Sequence, residues 1–261
     1  MVGGEIKEML AAIGDIHGCI KTVNKLIDKL FAKYDIDTFI FLGDFVDRGD
    51  NAKDVLDFII NFSKHYNSIF LMGNHEDMML DYFFSEGKYD ANVWFENGGR
   101  LTIKSFDKEL FLRLISFQNI KKDFVKKFDN YLNFIKSFKF YHTVEGFEKY
   151  FFSHAGCLKI DLPPEFHNDV VPDNKKKIFF PYLWSREIDS YDKKIENTVV
   201  IHGHTPVQKL NGESTPLVNR SDEGIISINI DTGCVYGFNL SVLILNEATG
   251  EFDFEVVRCL D

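Results

Sequence analysis

The stretch "DTFIFLGDFVDRGD", residues 37–50, joins an apolar run to a loop that holds Asp44, Asp47 and Arg48 between the glycines Gly43 and Gly49. The apolar run predicts a core strand, and a core strand that ends in two acids and a cation predicts a site with partners elsewhere in the chain. The same rhythm recurs through the first 84 residues: "MLAAI" (9–13) runs into "GDIHG", "TFIFL" (38–42) into "GDFVDRG", and "SIFLM" (68–72) into "GNHED". Between them, "IKTVNKLIDKLFAKY" (20–34) and "AKDVLDFIINFSKHY" (52–66) space apolar residues at helical intervals. Strand, polar loop and helix in repetition predict βαβ units with right-handed crossovers in a mainly parallel sheet. Loops that follow parallel strands gather at one edge, where α/β proteins place ligands.

Downstream, "WFENGGR" (94–100) reads as a polar turn, and the segment to about residue 140 alternates phenylalanine or leucine with lysine and acid at helical spacing. That predicts two or three helices packed by one face, the lysines solvating the other. The second half reads mostly as strands: "FKFYHTV", "KYFFSHAG", "NTVVIHGHTP", "GIISINIDTG", "SVLILN" and "EFDFEVV", with a loop-rich region at 161–197.

The net charge of −10 argues against a general attraction for nucleic acid or an anionic membrane. There is no stretch of about 18 apolar residues to span a membrane and no signal-peptide pattern at the start, so a cytoplasmic protein is expected. Cys19, Cys157, Cys234 and Cys259 are scattered without a CxxC pair and read as reduced thiols.

The polar strand ends supply Asp15 and His17; Asp44, Asp47 and Arg48; Asn74 and His75; His154; and His204. Carboxylate, amide oxygen and imidazole suit borderline divalent ions such as manganese, iron or zinc. One aspartate can bridge two metals, and a metal pair can activate water and clamp a phosphoryl oxygen. Arginine adds a planar fork for the remaining phosphate oxygens. The set makes chemical sense as metal-assisted phosphoester hydrolysis. Glu76 and Asp77 read either as groups that support the ligands or as ordinary acids at a helix start, suited to the helix dipole, and the latter is favoured. His202, two places before His204, reads equally as a supporting or a structural histidine. Asp231 is a candidate acceptor for a ligand histidine.

GDIHG (14–18), GDFVDRG (43–49), GNHE (73–76), HAG (154–156) and GHT (203–205), in this order, resemble the five signature blocks of the phosphoprotein phosphatase family, within the calcineurin-like metallophosphoesterases. The likeness runs from about residue 9 to about 245, weakest over 100–140. It implies an α/β fold, the αββα metallophosphoesterase sandwich, as a single domain over 1–261 with a small helical insertion at about 100–140. It implies two divalent metal ions, manganese ranked ahead of iron and zinc. Asp15 and His17 would bind the first metal, Asp44 would bridge, and Asn74, His154 and His204 would complete the second. His75 would be the general acid, oriented by Asp47, in an imidazolium form that the carboxylate favours. Arg48, Arg186 in "YLWSRE" and Asn74 would contact the phosphate.

"WFENGG", "LWSRE", "HGHTP" and "IDTGCVYG" are similar to bacterial, archaeal and phage members, and HAG stands where eukaryotic members have HGG. The leading reading is therefore a monomeric protein phosphatase of prokaryotic type, acting on phosphoserine and phosphothreonine, with phosphotyrosine included. The alternative is a dinucleoside polyphosphate hydrolase, such as one acting on diadenosine tetraphosphate. It ranks second because the second block of such enzymes usually departs from "DRG". A catalytically silent binding module ranks last, since every expected ligand is present.

Overall fold

In chain order the strands are β1 (Met9–Ile13), β2 (Thr38–Phe41), β3 (Ser68–Phe70), β4 (Tyr141–Glu145), β5 (Lys149–Ser153), β6 (Thr198–His202), β7 (Leu217–Ser221), β8 (Gly224–Asn229), β9 (Asn239–Asn246) and β10 (Phe252–Arg258). The helices are α1 (Ile20–Lys33), α2 (Ala52–Phe62), α3 (Asn74–Phe84), α4 (Ala91–Trp94), α5 (Arg100–Phe106), α6 (Lys108–Ile115) and α7 (Lys121–Lys136). These elements come from a computed structural model that describes residues 9–84, 90–146, 149–157, 181–194 and 197–261. Most of the segment read as loop-rich, 161–197, lies outside the described residues, at 161–180 and 195–196.

β1, β2 and β3 are parallel neighbours, as the repeated rhythm predicts. β9 and β10 join the other side of β1 antiparallel, giving the order β10-β9-β1-β2-β3. The second sheet has the order β4-β5-β6-β8-β7, with β5, β6 and β8 mutually parallel. α2 stops at Phe62, short of the expected residue 66. Ser63 Oγ donates back to the Ile60 carbonyl, and Lys64 and His65 close tighter turns onto Asn61 and Phe62. "FENGG" (95–99), expected as a polar turn, is a π-helical turn joining α4 to α5.

Strand periodicity assigns the layers. In β1, Leu10 and Ala12 face the second sheet, while Ala11 and Ile13 face the helices. β2 does the same with Ile40 on one side and Phe39 and Phe41 on the other. From the second sheet, Tyr150, Phe152, Val199 and Ile201 enter the inter-sheet core. Phe151 and Val200 point away from it, toward Tyr182 and Ile188. Strands buried on both faces need apolar residues throughout, which is why they read as continuous apolar runs. The chain is thus a mixed α/β protein with two packed sheets, the fold class expected.

Glu255 on β10 is nearly buried and ties that strand to α1. Lys29 Nζ lies 2.5 Å and Lys33 Nζ 2.6 Å from its carboxylate, and the Tyr34 hydroxyl donates at 3.1 Å. Burial alone would raise the carboxyl, but the hydrogen bonds from Lys29, Lys33 and Tyr34 hold it at about 2. A depressed carboxyl stabilises the fold above its unfolded pKa, near 4.5, and that contribution is lost as pH falls toward 2. Glu255→Gln is expected to lower stability by about 1–2 kcal/mol at neutral pH, a modest figure because both lysines are partly exposed. The loss should vanish near pH 2. Denaturant unfolding at the two pH values checks this; an equal loss at both would rule the charge out as the cause.

Candidate dimetal site

Asp15 and His17 follow β1, Asp44, Asp47 and Arg48 follow β2, and Asn74 and His75 open α3 after β3. His154 follows β5 and His204 follows β6. The loop ends of both sheets therefore meet, and the His154 ring Nδ1–H, donating to the Leu42 carbonyl at 2.9 Å, ties the two sheets together there. Among the described residues, seven non-glycine residues have positive φ, and five of them are His17, Asp44, Asp47, Arg48 and His204. Each such backbone costs about 1 kcal/mol or more, so the strain of the fold is concentrated in the loops that aim these side chains. Gly43, at φ 100°, makes the turn before Asp44. Gly49 meets a different need: a Cβ there would stand 2.1 Å from the His17 carbonyl oxygen.

Asp44 is shared by two groups of buried ligand atoms, His17–Asp44–His75 and Asp44–His154–His204, each with its atoms within 4.8 Å of one another. The histidine tautomers follow from their outer hydrogen bonds. His17 Nδ1–H donates to the Val46 carbonyl at 2.7 Å, which leaves the Nε2 lone pair facing Asp44 Oδ2 at 3.2 Å. His154 likewise spends Nδ1–H on Leu42, so its Nε2 lone pair faces Asn74 Oδ1 at 3.0 Å and Asp44 Oδ1 at 3.4 Å. His204 Nδ1 lies 3.0 Å from the same Asn74 oxygen.

Burial holds all three imidazoles below their ordinary range, His154 at about 4, and the charges of His154 and Arg186 add to the effect at His204. Asp15, accepting from the His204 N–H at 3.1 Å, is pushed well above the usual carboxylate range by burial and by the neighbouring carboxylates of Asp231 and Asp44. For Asp44, burial is outweighed by His154, His75 and His17, and its carboxyl lies well below that range. Asp44 Oδ2 has no hydrogen-bond partner. Acceptors thus face acceptors in a buried space, an arrangement that only cations make favourable. The residues fit divalent metal ions.

His75 is held through Nδ1, 2.7 Å from Asp47 Oδ2, and its Nε2 is buried without a hydrogen-bond partner, 3.9 Å from Asp44 Oδ2. Asp47 is gripped by Trp94 Nε1–H at 2.9 Å and the Thr102 hydroxyl at 2.5 Å, while its own N–H donates to Thr102 Oγ1. Burial pushes His75 down to about 4 and Asp47 up to about 7. This differs from the expectation that Asp47 makes the imidazole a cation: desolvation of His75, with the charge of Arg48, outweighs the attraction of Asp44.

Sequence reasoning missed Trp94 and Thr102, although Trp94 stands in a block it had marked. It also misread Glu76. That side chain is fully buried, and its two oxygens accept the backbone N–H groups of Asp44, Phe45, Val46 and Gly73 at 2.8–3.1 Å. It shapes the Asp44 loop, whereas Asp77 stays at the helix start.

Arg48 Nη1 donates to His17 Nε2 at 2.5 Å, and its guanidinium lies 5.7 Å from the ring centre of Tyr236, which is half exposed. Arg186 is exposed beside the site, near enough to His204 for its charge to act there. His202 is buried, with Nε2 3.2 Å from Asp189, and so braces the segment just after Arg186. Asp231 does not hold a ligand histidine as expected; its Oδ1 accepts the Gly233 N–H at 3.0 Å.

The model of the calcineurin-like phosphoesterases matches residues 9–237. The chain belongs to that family. Among its calcineurin-like relatives is the bis(5'-nucleosyl)-tetraphosphatase PrpE [asymmetrical] of Anoxybacillus flavithermus, 26% identical, with 88% of each chain covered. The protein of the same name from Oceanobacillus iheyensis is also 26% identical, over 88% of this chain and 85% of that one. A cold-active protein-tyrosine phosphatase from a psychrophilic Shewanella superposes with a TM-score of 0.57 at 16% identity, over 95% of this chain and 80% of its own. At that identity the likeness concerns the fold alone. Calcineurin-like phosphoesterases use a dinuclear metal centre, and the two groups sharing Asp44 meet that requirement.

Proposed function

We propose that this phosphoesterase hydrolyses bis(5'-nucleosyl) polyphosphates, cutting asymmetrically, with two divalent ions. The observation that carries this is the end-to-end similarity to the PrpE tetraphosphatases, over 88% of the chain. It reverses the order reached from the sequence, in which four prokaryotic-type blocks led and the "DRG" block placed the dinucleotide reading second. The condition of the acid pair supports the reversal. Burial pushes His75 down to about 4 and Asp47 up to about 7, so a protonated Asp47 can donate to Nδ1 and leave Nε2–H as a neutral hydrogen-bond donor in place of a cationic acid. Cleavage of an anhydride expels a phosphate oxygen, far less basic than a serine alkoxide, and leans less on proton donation.

In this reading Asp15 and His17 would hold one ion, Asp44 would serve both, and Asn74, His154 and His204 would hold the other. The ions, manganese ahead of iron or zinc, supply the activated water and neutralise phosphoryl charge. Arg48 turns from His17 to the phosphate, with Arg186 and Asn74 contacting its other oxygens. His75 Nε2–H faces the leaving oxygen, and Asp47, fixed by Trp94 and Thr102, keeps the ring in place. Because α4 and α5 supply those two residues, these helices belong to the same catalytic unit as the strand-end loops. Tyr236, half exposed beside Arg48, offers a stacking face for a nucleobase.

The second reading, a phosphoserine, phosphothreonine or phosphotyrosine protein phosphatase, keeps the same centre and changes the substrate. Paired turnover with added manganese separates them: diadenosine tetraphosphate in one arm, a phosphopeptide set in the other. A much larger kcat/KM on the dinucleotide is expected, and the reverse would return the assignment to protein substrates. Tyr236→Ala is expected to raise KM for the dinucleotide about tenfold, from the loss of one stacked base, with little change on a phosphopeptide. Equal effects on both would remove the stacking role.

A further inference from the structure

The four cysteines look scattered in sequence, yet three of them converge. Cys19 opens α1, Cys234 lies in the 3₁₀ turn Cys234–Tyr236 after β8, and Cys259 follows β10. Their Sγ atoms all lie within 4.8 Å of one another. Cys19 and Cys234 are buried, at 2% and 1% exposure, and Cys259 is partly open. Cys157 packs elsewhere, against Tyr182 and Ile188. The hydrogen bonds of this trio are long: Cys19 Sγ donates to the His17 carbonyl at 3.8 Å and Cys259 Sγ to the Asp261 carbonyl at 3.9 Å.

We propose that Cys19, Cys234 and Cys259 form a three-thiolate site for a single thiophilic d10 cation of the Zn2+ or Cu+ type, separate from the aspartate–histidine centre. Three thiolates on one ion at about 2.3 Å stand about 3.8–4.0 Å apart, so the sulfurs need close by less than about 1 Å to bind. No imidazole or carboxylate belongs to this group of three, so it selects against the oxygen-seeking ions that suit the Asp44 centre. Asp261, the nearest carboxylate in sequence, is committed to α1: it accepts from the Lys21 and Thr22 N–H groups and from the Thr22 hydroxyl. The ion is thus three-coordinate from the protein, with the Cys259 side open to entry. Cys19 follows His17 by two residues and Cys234 precedes Tyr236 by two, so an ion here would pin both loops to the segment after β10.

The test uses the full, reduced chain with its aspartate–histidine centre first saturated with Mn2+. Cd2+ is then titrated while the ultraviolet sulfur-to-metal charge-transfer band is followed, a signal that oxygen and nitrogen ligands do not produce. The band is expected to saturate at one equivalent in the natural chain and in Cys157→Ser. In Cys259→Ser it should weaken, with affinity reduced at least about tenfold. Manganese-supported turnover, unchanged in Cys259→Ser, would show that the variant is folded. No band, or a band of equal strength and affinity in Cys259→Ser, overturns the proposal.

Discussion

Asp44→Asn is expected to lower turnover of any phosphoester by about a thousandfold or more, with fewer than two metal ions bound per chain. The substitution keeps the size of the side chain and an oxygen to accept the backbone N–H of His75, now at 3.2 Å from Oδ1. It removes the charge that offsets two cations, and places an amide N–H₂ among acceptors already turned inward. Oδ2, which makes no hydrogen bond in the protein, is the atom whose loss matters most. The fold should tolerate the change, because the buried carboxylate is itself a cost when no cation is present. Metal content, turnover and the melting temperature measured together decide the matter. Near-normal activity with two metals bound would end the bridging assignment.

Glu76→Gln is expected to act through the backbone. All four acceptor positions of the carboxylate are taken by N–H donors from Asp44, Phe45, Val46 and Gly73. An amide replaces one oxygen by an N–H₂ group and turns two of those attractions into donor–donor contacts. Two orphaned buried N–H groups cost about 2–4 kcal/mol in stability. The Asp44 loop, already held at φ 53°, would relax from its shape, and turnover should fall about a hundredfold. Denaturant unfolding and kcat report the two effects separately. A variant with unaltered stability would show that the four bonds do not hold the loop.

These two residues mark the limits of what was legible beforehand. Asp44 could be singled out because an acid at the end of an apolar strand conflicts with its surroundings unless it has a task. Glu76 looked ordinary, since an acid in the first turn of a helix is favourable on a solvent-exposed face too. Nothing in its spacing said that the turn faces inward. Trp94 and Thr102 were hidden for a similar reason: a tryptophan and a threonine on a helical segment read as packing until a buried carboxylate is found beside them. The parallel trio β1–β2–β3 and helices α1 and α2 were plain, because short continuous apolar runs alternate there with apolar residues at a period of 3.6. β9 and β10 were recognisable as strands, but not as the neighbours of β1.

The order of residues along the chain determined the kind of chemistry available: aspartate, asparagine and histidine at successive strand ends, with arginine at hand, are ligands for divalent ions and phosphate wherever the strands lie. It also determined the strands and helices that carry them, through the spacing of apolar side chains. Tertiary structure alone decided which ligand atoms come together around Asp44, which carboxylate shapes the Asp44 loop, how burial sets His75 and Asp47 apart from their ordinary ranges, and that three distant thiols meet. Those outcomes depend on distances between residues up to 240 positions apart and on the loss of surrounding water, and neither quantity is a function of local sequence.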